Sequence, residues 1–212
     1  MRKYLTLCIL LIFYYSNGQN SFEGIIKFKT EISTTDLSPK DFKQKLLTKY
    51  GDSSYMYYSK NGDFKRKNIN SGKLGVDAQF YNAKKGVIYY IKNDTDKIDS
   101  TNVKLNSIEV IISKDKIANE KIIGLDCECM RYTGITKHNE TVTITYCYSL
   151  LTPKIDYKLF QKHNDFFLNE YYQLSERPYL KFSLETPRFT LKYTATNIEE
   201  VEIENKVFQV KK

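Results

Sequence analysis

The 212-residue sequence contains no tryptophan and only two histidines, and this scarcity limits the chemistry it can perform. No Gly-x-Ser-x-Gly or His-Glu-x-x-His pattern surrounds a candidate nucleophile or metal ligand. His138 is predicted at a turn and His163 on the apolar side of a helix, where histidines are usually structural. A hydrolytic triad is therefore unsupported. We expect no enzyme activity, no catalytic residue, no cofactor and no metal site.

Long apolar runs are absent except at the beginning of the chain. Residues 1–18 carry a basic head, an apolar run over residues 5–15 and small residues before position 19. This order is typical of a secretory signal peptide cleaved after Gly18, and the run is too short to span a bilayer comfortably. Cys8 lies at the start of the run, which disfavours a lipid-anchored N-terminus. We predict an exported protein, periplasmic or outer-membrane-associated, without a transmembrane segment after signal removal.

A block of positive charge is also missing. The chain has 33 Lys and Arg against 25 Asp and Glu, a net charge of +8. The lysines are interleaved with acidic residues along the chain instead of forming one patch, so nucleic acid is not a predicted partner. The excess charge is interpreted as a solvated surface.

The residues that are abundant favour a sheet. There are 18 Tyr and 12 Phe together with many Ile, Val and Thr, all of which fit a pleated, half-buried surface. Residues 19–212 contain no linker, low-complexity segment or repeat, which predicts a single domain. The predicted fold class is mainly β (α+β), a curved antiparallel sheet or incomplete β-barrel with two or three short helices against its concave face.

Alternating apolar and polar residues predict the strands, and helical spacing predicts two helices. Ser38 and Pro39 are suited to the start of a helix that ends before Gly51. A second helix is predicted over 156–174, with His163-Asn164-Asp165 as a point where it can break in two. The predicted strands cover residues 22–32, 53–60, 63–70, 77–82, 87–92, 97–99, 106–113, 121–132, 141–148, 179–185, 188–197 and 200–210.

Three cysteines, Cys127, Cys129 and Cys147, lie in the predicted central hairpin. Cys127 and Cys129 face the same way because strand side chains alternate. A turn centred near His138 places Cys129 opposite Cys147, and a shift of one residue places Cys127 there instead. Export favours one disulfide and one free thiol. There are two alternatives. One is a zinc site formed by the three thiolates with His138, although the spacing matches no established structural zinc pattern. The other is a reactive thiol.

The aromatic residues are the candidates for ligand binding. A strongly curved sheet covered by helices can enclose an apolar cavity, although small barrels are often filled by their own side chains. The predicted cavity residues are Phe28, Tyr57, Tyr89, Phe160, Phe167 and Tyr171. The leading hypothesis is a non-enzymatic binding protein for a lipid, an acyl chain or another hydrophobic or amphiphilic ligand. The alternative is an interaction subunit whose exposed strand edges dock to an envelope protein.

Three segments of the chain carry short motifs: residues 22–28, Phe-Glu-Gly-Ile-Ile-Lys-Phe; residues 121–127, Lys-Ile-Ile-Gly-Leu-Asp-Cys; and residues 198–210, which contain Phe208. In these segments the chain resembles a group of exported Gram-negative envelope proteins of unknown function, which includes GLPGLI-type proteins. The resemblance implies the lipoprotein-carrier (LolA/LolB-like) architecture, an incomplete antiparallel barrel with helices against its concave face.

The chain also departs from this group. It lacks the group's common tryptophan and the Gly-Leu-Pro-Gly-Leu-Ile segment of one branch, and Cys129 is an additional cysteine. The resemblance provides no catalytic residue to carry over. It implies a binding or envelope-assembly role, and it favours Cys127 over Cys129 as the cysteine that forms the bridge.

Overall fold

The computed structural model describes residues 21–210, so the predicted signal peptide lies outside the described residues. The strands are β1 Gly24–Thr34, β2 Ser53–Tyr58, β3 Phe64–Ile69, β4 Val76–Asn82, β5 Val87–Lys92, β6 Thr95–Asn102, β7 Ile108–Ile122, β8 Leu125–Thr136, β9 Thr141–Tyr148, β10 Lys181–Glu185 and β11 Phe189–Glu200. They form one antiparallel sheet in the order β6-β5-β4-β3-β2-β1-β11-β10-β9-β8-β7. The predicted fold class is confirmed, and the sheet is open rather than closed. Within residues 21–210, none of the helices has the length and apolar character needed to cross a membrane.

The two edges of the sheet, β6 and β7, are joined by residues 103–107 alone. Six Cα steps separate Asn102 from Ile108, and an extended chain covers at most about 21 Å in six steps. A flat sheet of this many strands would be about 48 Å wide. The sheet must therefore curl until its edges approach each other, which produces an incomplete barrel with a gap between β6 and β7.

The turn between β7 and β8 corrects one predicted strand. Ile123 and Gly124 have φ angles of 46° and 79°, and two consecutive positive values are characteristic of a type I′ hairpin turn. The segment predicted as one strand over 121–132 is therefore the end of β7 and most of β8. The strand predicted over 106–113 continues to Ile122.

The first helix, α1, covers Phe42–Tyr50 and begins four residues after the predicted capping residue. The Ser38 hydroxyl donates a hydrogen bond to the carbonyl oxygen of Arg188, on the distant β10–β11 turn, so it does not cap the helix. Asp41 takes the position before the helix with a φ of 64°. Gly51 ends the helix with a φ of 73°, a conformation that glycine adopts without a steric penalty.

The second predicted helix is broken where the His163-Asn164-Asp165 sequence allows it. A 3₁₀ turn covers Tyr157–Phe160, a second one covers Asp165–Phe167, and the helix α2 covers only Leu168–Ser175. We call residues 157–175 the cover segment, because its aromatic side chains pack against the concave face of the sheet.

The strand predicted over 200–210 does not form. β11 pairs with β1 on one side and with β10 on the other, so neither of its edges is available to a following strand. Residues after Glu200 leave the sheet, and a 3₁₀ turn covers Asn205–Phe208. The strand predicted over 200–210 is thus corrected to an irregular segment that contains one 3₁₀ turn.

The core lies on the concave face. Residues paired across neighbouring strands share a face, which places Ile26, Met56 and Arg66 side by side on β1, β2 and β3. The same face of β9 and β10 carries Tyr146 and Phe182, which are also paired. The cover segment adds its aromatic rings to this surface, so the core consists of one sheet face and one overlying segment.

Candidate ligand-binding cavity

A cavity of about 520 Å³ lies between the concave face and the cover segment. This volume falls within the range of roughly 300–1,000 Å³ that is typical of small-molecule sites. Its walls are mainly apolar or aromatic, and the sheet contributes Met56, Phe64, Ile88, Tyr90, Tyr146, Phe182, Leu184, Leu191 and Tyr193. The curled sheet therefore leaves part of its apolar interior unfilled.

The cover segment closes one side of the cavity. It is hydrogen-bonded to residues 103–107, the short connection between the two sheet edges. The backbone amides of Asn164 and Asp165 donate to the carbonyl oxygen of Val103 at 2.8 and 3.2 Å. The Asp165 carboxylate accepts hydrogen bonds from the amide and hydroxyl of Ser107 at 2.9 and 2.6 Å. These contacts hold the segment across the gap between β6 and β7.

Two neighbouring phenylalanines in the cover segment have left-handed backbone conformations. Phe166 has a φ of 54° and Phe167 a φ of 59°, which is unfavourable for large side chains. The turn directs Phe167 into the core, where its ring stacks on Tyr132 with centroids 5.3 Å apart. Phe166 instead lines the cavity, and its carbonyl oxygen accepts a hydrogen bond from the Tyr146 hydroxyl at 3.0 Å.

Arg66 is the buried cation of the cavity wall. Its side chain lies on the inner face of β3 and the residue is only 8% exposed. Nη2 donates a hydrogen bond to the Tyr179 hydroxyl, and the guanidinium lies over the Tyr193 ring, 4.1 Å from its centroid. Nε has no hydrogen-bond partner among the residues that the structure describes. Burial opposes the charged form, but the pKa of a guanidinium ordinarily lies far above 7 and is raised further here, so Arg66 is charged.

His163 is the second buried titratable group that lines the cavity. Its ring packs against Tyr81 and Phe64, with centroid distances of 4.8 and 6.0 Å. In the described part of the chain, Nδ1 has no hydrogen-bond partner. Burial lowers the pKa of His163 to about 4, so the imidazole is neutral at pH 7.

Several tyrosine hydroxyls border the same space and stay protonated. Burial raises the pKa of Tyr193 to about 12 and raises that of Tyr90 as well. Burial also places the pKa of Tyr146 well above its ordinary value. These groups therefore present neutral O–H dipoles to the cavity, and they add no negative charge near Arg66.

The rim carries the remaining charges. Lys92 and Asp99, which lie on β5 and β6, form an ion pair with an N–O distance of 2.7 Å, and Lys49 contributes a further cation. Both carboxylates that line the cavity, Asp99 and Asp165, thus have partners of their own.

The predicted cavity residues fall into two groups in the structure. Phe28, Phe160, Phe167 and Tyr171 are almost fully buried and form the packed aromatic core beside the cavity. Tyr171, for example, stacks on Tyr146 with centroids 4.5 Å apart. The structure brings these four into the core, whereas adjoining residues such as Phe182 and Tyr193 line the cavity.

Tyr57 and Tyr89 lie on the opposite, convex face of the sheet. Tyr57 is paired with Lys65, and Tyr89 is paired with Phe80, none of which lines the cavity. Side chains alternate along a strand, so the neighbouring Tyr58 and Tyr90 point inward in their place. Neither Tyr57 nor Tyr89 can therefore contact a molecule in the cavity.

Comparisons with known proteins leave the family of this chain open. No family model matches the sequence, and no curated protein matches it. Among the solved structures that are similar to this chain is the Mycobacterium tuberculosis lipoprotein LppX. It is 10% identical with a TM-score of 0.40, and the match covers 90% of this chain and 92% of that one.

The disulfide joins Cys129 to Cys147 and lies outside the cavity. The two residues are directly opposite each other on β8 and β9, with a Cα–Cα distance of 4.1 Å. They share the convex face, because the adjacent pair Met130 and Tyr146 faces inward. This is the pairing predicted from a turn centred near His138.

Cys127, which the resemblance favoured, is not bridged. β9 ends at Tyr148, which pairs with Glu128, so no residue of β9 lies opposite Cys127. Cys127 is completely buried, and burial raises the pKa of its thiol. The sulfur atoms of Cys129 and Cys147 lie within 4.8 Å of a Glu120 carboxylate oxygen, a spacing that could suit a metal ion. Because the two sulfurs are joined in the disulfide, they are not thiolate ligands for a metal. His138 lies in the turn at the far end of the hairpin.

This pairing predicts a specific set of thiol counts for protein purified without residues 1–18. The unaltered protein should contain one free thiol after denaturation without reductant, Cys127→Ser should contain none, and Cys129→Ser should contain two. Thiol titration in denaturant measures these values. Digestion with a glutamate-specific protease, which cleaves between Cys127 and Cys129 at Glu128, should recover Cys129 linked to Cys147. A bridge recovered between Cys127 and Cys147 would contradict the structure.

Proposed function

We propose that this protein is an exported, non-enzymatic binding protein that holds a hydrophobic or amphiphilic ligand, such as an acyl chain. The observation that carries the proposal is the cavity of about 520 Å³ between the concave face and the cover segment. Burial of an acyl chain there contributes about 0.8 kcal/mol per methylene group, and this gain requires no polar partner for the chain.

Export is part of the proposal and is supported by the disulfide. Buried disulfides such as Cys129–Cys147 form and persist mainly in oxidising compartments. The N-terminal sequence with its basic head and short apolar run supports the same location. A carrier with this cavity requires no chemical step, because binding and release of the ligand are sufficient.

Filling the cavity should weaken binding of an apolar probe. Leu184 lines the cavity and is half-buried, so Leu184→Trp places a large ring in the ligand space. We expect Leu184→Trp to weaken binding of the neutral dye Nile red about tenfold, which corresponds to about 1.4 kcal/mol. The dye's fluorescence measures this in a titration. Because the chain has no other tryptophan, the new indole also reports directly on ligand entry.

The matched control is Ile25→Trp, a substitution of the same kind on the convex face of β1. Ile25 is also half-buried and is paired with Tyr57, so its side chain points away from the cavity. Nile red should bind this variant as it binds the unaltered protein.

Lipids extracted from natively purified protein should be detectable by mass spectrometry. The proposal would be wrong if the unaltered protein contained no lipid and did not bind Nile red.

A further inference from the structure

Arg66 is a buried charge without an ionic partner. The residue is 8% exposed, and within residues 21–210 no carboxylate lies close enough to its guanidinium to form an ion pair. Its guanidinium contacts the Tyr179 hydroxyl and the face of the Tyr193 ring. Buried charges in proteins are normally paired, because an isolated one loses its hydration without compensation.

The position of Arg66 suggests what compensates the charge. The side chain lines the cavity, next to Met56 on β2 and Gln79 on β4. A guanidinium has five N–H groups in a planar fork that matches a carboxylate or a phosphate. Within residues 21–210, this one donates a single hydrogen bond, to Tyr179, and its Nε has no acceptor.

The surroundings of Arg66 favour an anion over a cation or a neutral group. Two tyrosines near it, Tyr179 and Tyr193, also line the cavity and carry hydroxyl groups. The two carboxylates in the cavity wall are already engaged, Asp99 by Lys92 and Asp165 by Ser107. An anionic head group that enters the cavity therefore meets a buried cation that has no ionic partner among the described residues, with two hydroxyl groups beside it.

We infer that the ligand is an amphiphile whose single anionic head group, a carboxylate or a phosphate, pairs with Arg66 while its acyl chain occupies the apolar cavity. This inference rests on the proposed function and adds the chemistry of the head group. Arg66 provides the recognition of charge, and the apolar wall formed by residues such as Leu184, Leu191 and Ile88 provides the recognition of the chain.

The test compares three ligands with the same chain, namely oleate, oleyl phosphate and oleyl alcohol. We expect the unaltered protein to bind at least one of the anions about tenfold to a hundredfold more tightly than oleyl alcohol, because hydrogen bonds to charged groups stabilise a complex more than those between neutral groups. Displacement of Nile red measures all three affinities. The anion that binds more tightly identifies the head group.

Arg66→Met should abolish this preference, so that oleate and oleyl phosphate bind no more tightly than oleyl alcohol. Methionine has a similar length and no charge, and replacing a buried charge by an apolar residue of similar volume often preserves stability. Arg66→Lys should keep part of the preference, because it keeps the charge but loses the fork. The matched control is Arg188→Met, which removes one positive charge from an exposed turn and should keep the full preference.

The outcomes separate this inference from the proposed function. If oleyl alcohol binds and the anions bind no more tightly, the cavity is an apolar binding site and the inference about Arg66 is wrong. Persistence of the anion preference in Arg66→Met would overturn it as well. If none of the three ligands binds and Nile red does not bind, both the inference and the proposed function are wrong.

Discussion

Phe160→Ala is expected to lower the free energy of unfolding by about 4 kcal/mol, in the range for a fully buried phenylalanine. Phe160 is 1% exposed, and its ring packs on Tyr172 with centroids 4.2 Å apart and on Tyr81 with centroids 6.1 Å apart. The loss has two parts, the transfer free energy of the ring and the empty space left between the cover segment and the sheet. Urea denaturation followed by circular dichroism measures it.

A control from the same part of the chain is Leu151→Ala. Leu151 is 79% exposed, so its truncation should change the free energy of unfolding by no more than about 0.5 kcal/mol. A loss below about 1 kcal/mol for Phe160→Ala would show that the cover segment is not packed against the sheet in solution.

His163 is expected to destabilise the protein by about 3 kcal/mol as the pH falls from 7 to 4. The residue is 4% exposed, and burial lowers its pKa from 6.5 to about 4. Between these values the unfolded chain binds a proton that the folded protein excludes. Stability is therefore fully present above pH 6.5, decreases as the pH falls through this window and levels off below the folded pKa.

The comparison with His163→Phe isolates this effect. Phenylalanine keeps an aromatic ring beside Tyr81 and Phe64 but does not titrate, whereas the carboxylates that also titrate in acid are common to both proteins. Urea denaturation at pH 7, 6, 5 and 4 should show a smaller loss for His163→Phe, by about 3 kcal/mol. His138→Phe, at an exposed turn, should follow the unaltered protein. Equal losses for His163→Phe and the unaltered protein would contradict the assignment.

Most strands were predictable because one face of each is buried. The alternation over 22–32 predicts β1, and the structure extends it by only two residues at its end, to Thr34. β7 was predicted at half its length, because residues 114–120 face solvent at the sheet edge and show no apolar alternation. The last strand was predicted wrongly for another reason. Alternation shows that a segment suits a sheet, but not whether the sheet has a free edge to accept it.

The cavity was less predictable than the sheet. In the pairs Tyr57-Tyr58 and Tyr89-Tyr90, alternation places one ring on each face of the sheet. Which of the two rings faces the cavity depends on the register between strands, which one sequence does not determine. Arg66 did leave a signal. It is two residues from Phe64 in the same strand, so an alternation that buries Phe64 also places the arginine inside. Helical spacing predicted a helix where the cover segment lies, but the residue types gave no indication of the turn at Phe166 and Phe167.

The pairing of β1 with β11 has a consequence for how the chain folds during synthesis. β2 to β6 can follow β1 as successive hairpins, and β7 to β9 can do the same, because each pairs with its neighbour in sequence. β1 pairs with a strand that begins at Phe189, so one long side of it stays unpaired until almost the whole chain has been made. Such contacts between distant residues slow folding and leave a strand edge open to association. A molecule truncated before β11 should therefore aggregate through β1, in the middle of what would have been its sheet.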